Sequence, residues 1–153
     1  MNFSLAEAKL AKGTLPYQVG GSGPPLLCLH SAAGVRIGTA LERLAETRRL
    51  YMPIFPGFDG TPRWPELRGM EGLADLAAEF AQSAIGGPCD VMGHSLGGWV
   101  AAWLAVRHSD RLQQLVLHAP AGFAPEGSPG LPTDPARLRQ AAFAFQRARQ
   151  NRM

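Results

Sequence analysis

Apolar residues along this chain follow two alternating patterns. In short runs they are continuous, which is typical of strands that are buried on both faces of a sheet. Between these runs they recur at helical spacing, as in residues 70–85, where Leu73 and Leu76 begin one apolar face. The runs that predict strands are residues 26–29, 50–55, 89–92 and 112–117. The segments that predict helices are residues 37–47, 70–85 and 98–106.

This order of elements predicts an α/β protein with a mostly parallel sheet and helices on both faces. The crossover connections are expected to be right-handed. Residues 5–20 predict one or two edge strands before the first buried strand. Pro53 departs from the strand pattern, since proline has no N–H to donate to a neighbouring strand. With 153 residues, of which 46% are hydrophobic, the chain is long enough for one domain with a sizeable core.

Residues 91–99 carry the pattern G-x-S-x-G between a predicted strand and a predicted helix, which is typical of a nucleophile elbow. Ser95 would lie at the tip of a sharp turn with strained backbone, and Gly93 and Gly97 flank it where a Cβ would crowd the turn. The N–H of Leu96 would begin the helix and face a developing oxyanion. The alternative is a glycine-rich turn whose serine has no chemical role.

Several polar and turn residues directly follow predicted strands. They are His30-Ser31-Ala32, Phe58-Asp59, Ser95 and Ala119-Pro120. Because the carboxyl ends of parallel strands meet at one edge of a sheet, we expect these residues to gather there. The sequence therefore predicts one functional site at this edge.

Charge and cysteine content narrow the function classes. The net charge is +3, and five arginines lie between Arg137 and Arg152 with no acid among them, but no nucleic-acid-binding motif accompanies them. Cys28 and Cys89 lie in apolar runs and are expected to be reduced core residues, not a disulfide or a metal site.

We expect neither a cofactor nor a metal. The N-terminus has no basic start and no long apolar run, so we expect no signal peptide or membrane span and a cytoplasmic location.

Four segments resemble the α/β-hydrolase family in their order and spacing. They are residues 27–34, 53–60, 93–99 and 115–122. The resemblance implies that Ser95 is the nucleophile and that the N–H groups of Leu96 and Ala32 are the oxyanion donors. A serine at the elbow, in place of aspartate, favours hydrolysis of an ester, thioester, amide or C–C bond over epoxide-hydrolase or dehalogenase chemistry. The family usually has His-Gly where this chain has His30-Ser31.

In the family the acid commonly follows the seventh strand and the base histidine follows the eighth. A βαβ unit takes roughly 30 residues, so eight strands need about 240, and this chain would hold about six. Residues 1–123 are therefore expected to form the N-terminal part of an incomplete α/β-hydrolase fold. Residues 124–153 are expected to form a loop and the first helix of a cap, begun by Thr133 or Asp134. Asp59 has no spacing that favours a triad role, and we expect it on the solvated surface.

The histidines are the candidates for the missing base. They are His30, His94, His108 and His118. His118 is the only one expected near Ser95, since it ends the neighbouring strand. His94 should point away from Ser95 within the tight turn, and His30 is expected to bond to loop backbone. The residues expected to line the site are His30, Ser31, His94 and His118.

Two functions of different class remain open. The first is a serine hydrolase acting on a small-molecule substrate, with weak or no turnover because the base is not identified. The second is a non-catalytic binding module, or a fragment that requires a complementing chain. Neither nucleic acid nor a membrane is an expected partner. A sheet that ends at its sixth strand would leave an exposed edge through which the chain could associate with itself.

Overall fold

The computed structural model describes residues 2–128, 134 and 136–137. These residues form one sheet flanked by helices. The strands are β1 (Ser4–Leu10), β2 (Gly13–Gly20), β3 (Pro25–Leu29), β4 (Arg49–Pro53), β5 (Cys89–His94) and β6 (Leu112–His118). The helices are α1 (Thr39–Leu44), α2 (Gly69–Phe80) and α3 (Leu96–Arg107), with a π-helical turn at Ala81–Ile85 and a 3₁₀ turn at Ser109–Arg111.

The strands are arranged in the order β1-β2-β4-β3-β5-β6. β1 and β2 form an antiparallel hairpin, and β2 also pairs antiparallel with β4. From β4 onward the pairs are parallel, joining β4 to β3, β3 to β5 and β5 to β6. The predicted α/β class with a mostly parallel sheet is therefore confirmed, and the predicted edge strands of residues 5–20 are β1 and β2.

Pro53 is tolerated in β4 because of its position at the end of the strand. The Ile54 N–H donates to the Pro16 carbonyl in β2 at 2.9 Å. Because successive backbone nitrogens of a strand face opposite sides, the Pro53 nitrogen faces β3. The pairing of β3 with β4 ends at the Leu27–Tyr51 pair, two residues earlier. No ladder hydrogen bond is lost on that side, and the strand ends at Pro53 instead of the predicted residue 55.

Two predicted helices differ from the structure in extent. α1 occupies only six residues of the predicted 37–47, because Gly38 is still in extended backbone and the helix ends before Ala45. The predicted helix 70–85 is α-helical only to Phe80. It continues as the π-helical turn and ends at Gly86, whose φ of 90° favours glycine.

The two faces of the sheet bury separate hydrophobic clusters. The larger cluster lies between the sheet and the pair α2 and α3, and it includes Leu27 and Leu29. The smaller cluster lies beneath α1 and includes Leu26 and Cys28. Successive β3 residues thus enter opposite clusters, which explains the continuous apolar run at residues 26–29.

Both cysteines are buried and free, as predicted. Cys89 belongs to the larger cluster and Cys28 to the smaller one. Burial raises the pKa of the Cys28 thiol to about 12 and that of the Cys89 thiol to about 11. Both thiols are therefore protonated and inert at neutral pH.

β6 forms the outer edge of the sheet within the described residues. It pairs with β5 on one side, and its apolar side chains remain exposed. Leu115, Val116 and Leu117 are 38%, 52% and 37% exposed. Because neighbouring strand residues point to opposite faces, apolar surface is open on both sides of the sheet here.

The chain divides into two compact units, residues 1–123 and 124–153. In the second unit, the Asp134 carboxylate accepts a hydrogen bond from the Arg137 N–H at 2.8 Å, as an N-terminal helix cap does. The rest of the predicted last helix lies outside the described residues, and its role as a cap stays a prediction. In the described part of the chain, no helix has the length and apolarity needed to cross a bilayer.

Candidate active site

Ser95 occupies a strained turn between β5 and α3. Its φ of 53° and ψ of −113° lie in a region that residues with a Cβ rarely adopt. Three backbone hydrogen bonds hold it there. The Ser95 N–H donates to His118 at 3.0 Å, and the Ser95 carbonyl accepts from the N–H groups of Trp99 at 3.2 Å and Ala121 at 2.9 Å. The turn is therefore fixed by α3, by β6 and by the segment after β6.

The glycines around Ser95 are required by close packing of backbone. A Cβ on Gly93 would lie 2.7 Å from the Gly98 Cα, and a Cβ on Gly98 would lie 2.8 Å from the Pro120 Cβ. A Cβ on Gly97 would lie 2.7 Å from the His30 carbonyl oxygen and closer still to the carbonyl of Leu29. The G-x-S-x-G spacing thus reflects the contact of α3 with β3 and β5.

The start of α3 presents N–H groups beside Ser95. Leu96 is the first residue of the helix, so its N–H has no partner within the helix. The positive end of the helix dipole adds to the potential for binding an anion here. Ser95 and Leu96 are both half-buried. This geometry suits the role that the sequence predicts for the Leu96 N–H.

Ala32 lies at the exposed tip of a tight turn that follows β3. We call residues 31–36 the Ala32 loop. The Gly34 N–H donates to the Ser31 carbonyl at 3.0 Å, and the Ala33 N–H donates to the Ser31 hydroxyl at 3.2 Å. The Ala32 N–H makes no hydrogen bond to another described residue. Ser31 thus shapes the turn through its hydroxyl, where the family usually has glycine.

His30 connects the loop after β3 to the loop after β4. Its Nε2 accepts the Phe55 N–H at 3.1 Å, so its Nδ1 carries the proton and donates to the Ser31 carbonyl at 2.7 Å. The ring is buried against Phe55 and Phe58, with centroids 5.0 and 4.9 Å away. Burial lowers the pKa of His30 below its ordinary value. Both ring nitrogens are engaged, so His30 holds loop backbone and is not available as a base.

Asp59 lies at the surface, as expected, but its carboxylate also holds the Ala32 loop in place. Its carboxylate accepts hydrogen bonds from the Val35 N–H at 2.7 Å and from Nη1 of Arg36 at 2.8 Å, and the Asp59 side chain is 22% exposed. Burial works to raise the pKa of Asp59, but the hydrogen bonds from Arg36 and Val35 outweigh it and hold the pKa below its ordinary value. A Cβ on Gly34 would lie 2.6 Å from the Asp59 Cγ, so glycine is needed for this approach. Sequence reasoning missed this role because the partners are more than 20 residues apart in the chain.

His94 and His118 lie side by side at the ends of β5 and β6. They are register partners in the parallel pair, and their rings stack with centroids 4.6 Å apart and planes 21° apart. Both residues are exposed. Burial and the neighbouring His118 ring lower the pKa of His94. The alternation of side chains directs this pair to the α1 face of the sheet, together with Met92.

No triad is assembled in the described part of the chain. None of the four histidine rings is hydrogen-bonded to the Ser95 hydroxyl. His108 instead bonds through Nε2 to Asp75 at 2.6 Å. His118, which the sequence predicts near Ser95, meets it through the backbone: the His118 carbonyl accepts the Ser95 N–H, while the His118 ring stacks on His94.

A cavity of about 490 Å³ lies on the α1 face, beside the ends of β3, β5 and β6. All four residues predicted to line the site border it, and they are His30, Ser31, His94 and His118. The remaining wall is mainly apolar and includes Leu41, Leu44 and Met92. Ser95, Ala32 and Leu96 are not among its lining residues. A second cavity of about 330 Å³ lies next to Phe58, Trp64 and the start of α2, and it too excludes Ser95.

The chain is similar in sequence to a protein family and to individual characterised proteins. A family model of the alpha/beta hydrolase fold matches residues 24–152. The chain is 34% identical over 115 residues to a pimeloyl-[acyl-carrier protein] methyl ester esterase of Aeromonas hydrophila, covering 72% of the chain and 44% of that protein. It is 31% identical over 110 residues to a 2-hydroxymuconate semialdehyde hydrolase of Pseudomonas sp., covering 68% of the chain and 39% of that protein. The chain thus spans less than half the length of these relatives.

A similarity to solved structures agrees with this result. A thermophilic esterase from Thermogutta terrifontis superposes with a TM-score of 0.61 at 27% identity, covering 73% of this chain and 44% of the esterase. The similarity again spans less than half of the longer chain.

Proposed function

The chain belongs to the α/β-hydrolase fold family, and on that premise we propose that it hydrolyses an acyl or C–C bond of a small-molecule substrate with Ser95 as the nucleophile. The observation that carries this proposal is the strained backbone of Ser95 at the start of α3. Such strain persists only where surrounding structure enforces it, and it is common at catalytic positions. An ester is the favoured substrate class, because the Aeromonas relative is named an esterase.

In the proposed reaction, the Ser95 hydroxyl oxygen attacks the acyl carbon and the carbonyl oxygen becomes an oxyanion. The N–H groups of Leu96 and Ala32 stabilise this charge, aided by the positive end of α3. The alcohol or other leaving group departs, and water then hydrolyses the acyl-serine to regenerate the hydroxyl. Asp59 and His30 support the Ala32 donor through the contacts described above.

The proton of the Ser95 hydroxyl needs an acceptor, and this requirement sets the expected rate. Since no histidine ring bonds to that hydroxyl, the proton passes to water and turnover is slow. A site that keeps its oxyanion donors but lacks a working triad retains an acceleration of roughly 10³–10⁴ over water. We therefore propose weak activity that still depends on Ser95.

The test is hydrolysis of p-nitrophenyl acetate by the wild-type chain, Ser95→Ala and a control, Ser109→Ala. Ser109 lies after α3, away from the elbow. We expect wild type and Ser109→Ala to show the same slow turnover and Ser95→Ala to show none above buffer. A fluorophosphonate should label Ser95, as identified by peptide mass spectrometry. Equal turnover in all three proteins, together with no labelling of Ser95, would refute the proposal.

A second candidate function is favoured by the exposed apolar side chains of β6. As the alternative, we propose that the chain is non-catalytic and requires a complementing chain. Without that complementing chain, it would associate with itself through β6. This alternative predicts no labelling of Ser95 and a molecular mass in light scattering that rises with concentration. A monodisperse monomer whose Ser95 is labelled would exclude it.

A further inference from the structure

The stacked pair His94 and His118 has a second chemical capacity that does not depend on the proposed hydrolysis. The two residues are register partners on parallel strands, so their side chains leave the same face of the sheet. The rings are held 4.6 Å apart and nearly parallel at the rim of the 490 Å³ cavity. Two imidazoles are thus brought together before any ligand arrives.

The ring nitrogens of this pair are not used by the described part of the chain. The other two histidines are engaged, His30 with Phe55 and Ser31 and His108 with Asp75. For His94 and His118, no hydrogen bond joins a ring nitrogen to another described residue, and both rings are exposed. Binding an ion here therefore costs neither an internal hydrogen bond nor the opening of a buried core.

We propose that His94 and His118 together bind a divalent first-row transition metal ion through one nitrogen of each ring. With metal–nitrogen distances of about 2.0–2.1 Å and an angle of 90–109°, the two nitrogens must lie about 2.9–3.4 Å apart. In the stacked arrangement, 4.6 Å apart with planes at 21°, the in-plane lone pairs of the two rings run side by side and do not meet. Because both residues are exposed register partners on one face of the sheet, each ring can turn about its side-chain torsions until one nitrogen of each reaches this spacing. The remaining coordination positions open to water at the cavity rim.

The charged group nearest in the cavity wall does not repel a cation bound by His94 and His118. Arg36 lines the same cavity, but its guanidinium is paired with Asp59 at 2.8 Å, which neutralises its charge. Imidazole ligands favour nickel, copper and zinc, whereas magnesium and calcium prefer oxygen ligands. The sequence predicts no metal site because the two histidines are 24 residues apart and match no ligand spacing. Only the register of β5 with β6 brings them together.

The test is titration of the full, untagged chain with NiCl₂ by isothermal calorimetry. We expect one ion per chain, competition by ZnCl₂ and no binding of MgCl₂. Because the second imidazole binds at high effective concentration, His94→Gln and His118→Gln should each weaken nickel binding about tenfold or more. His108→Gln is the matched control and should leave binding unchanged, since its ring is held by Asp75.

A measurement on the wild type avoids dependence on how the variants fold. Paramagnetic Ni²⁺ should broaden the NMR signals of the His94 and His118 rings at low metal ratios, and those of His30 and His108 much less. Equal broadening of all four histidines, or folded His94→Gln and His118→Gln proteins that bind nickel as wild type does, would overturn the proposal.

Discussion

Replacing Gly97 by alanine tests whether close backbone packing, not helix propensity, governs the elbow. Alanine at a helical glycine ordinarily stabilises a protein by about 0.5–1 kcal/mol. At Gly97, however, the new Cβ would lie 2.7 Å from the His30 carbonyl oxygen and closer still to the Leu29 carbonyl. These are backbone atoms that cannot rotate away. We expect Gly97→Ala to cost about 1–3 kcal/mol, the range for overpacking a tight core.

Gly72 in α2 provides the matched control. Its added Cβ would meet the Leu67 Cδ1 at 3.4 Å, which is ordinary van der Waals contact. Gly72→Ala should therefore gain the usual helix stabilisation, so the two variants should differ by at least about 1.5 kcal/mol in free energy of unfolding. For a chain of this size, 1 kcal/mol corresponds to roughly 2–4 °C in Tm.

The assay is thermal and urea unfolding followed by circular dichroism, at protein concentrations low enough to limit association. Gly97→Ala should also slow fluorophosphonate labelling of Ser95, because moving the His30 carbonyl moves the adjoining Ala32 loop, and a displacement of about 1 Å can cost about 100-fold in rate. Equal stability of Gly97→Ala and Gly72→Ala would refute the packing argument.

Three further predictions concern charge, the Ala32 loop and the sheet edge. Asp75→Asn should lower the Tm at pH 7, and hydrogen bonds from Arg107 hold the pKa of Asp75 below its ordinary value. The difference from wild type should therefore shrink as the pH falls below about 4 and vanish only below the lowered pKa of the folded state; a constant difference would contradict this. Asp59→Asn should destabilise the chain by about 0.5–1.5 kcal/mol and speed tryptic cleavage within the Ala32 loop, whereas unchanged proteolysis would argue against its bracing role. Val116→Lys should reduce self-association in light scattering, while Val106→Lys, exposed on α3, should not; the same response in both would exclude β6 as the contact.

Much of the fold could be predicted because a strand buried on both faces of the sheet has apolar residues at consecutive positions in the sequence. Continuous apolar runs predicted the central strands, and the alternation of Leu26 and Leu27 between the two clusters is the physical reason. The turn at Ser95 was predictable because its crowded backbone admits only glycine two residues away on either side. In both cases the constraint is local, so it appears as a pattern within a few residues.

Features that depend on distant partners could not be predicted in this way. Asp59 reaches Val35 across two loops, and nothing in its neighbours along the chain signals that contact. The stacking of His94 on His118 depends on the register of two strands, which the order of elements does not fix. The π-helical turn after Phe80, which ends at Gly86, likewise has no signal in the apolar spacing that predicts a helix over residues 70–85.

The buried ring of His30 also makes the strand-end loops sensitive to acid. Its Nε2 must stay unprotonated to accept the Phe55 N–H, and its pKa is lower in the folded chain than in the unfolded one. As the pH falls below about 6.5, His30 binds a proton in the unfolded chain before it does so in the folded chain. The free energy of unfolding therefore declines as the pH falls below this value. Once protonated, the ring would point a second N–H at the Phe55 amide. Acid strong enough to protonate the ring would thereby remove the hydrogen bond that joins the loop after β3 to the loop after β4.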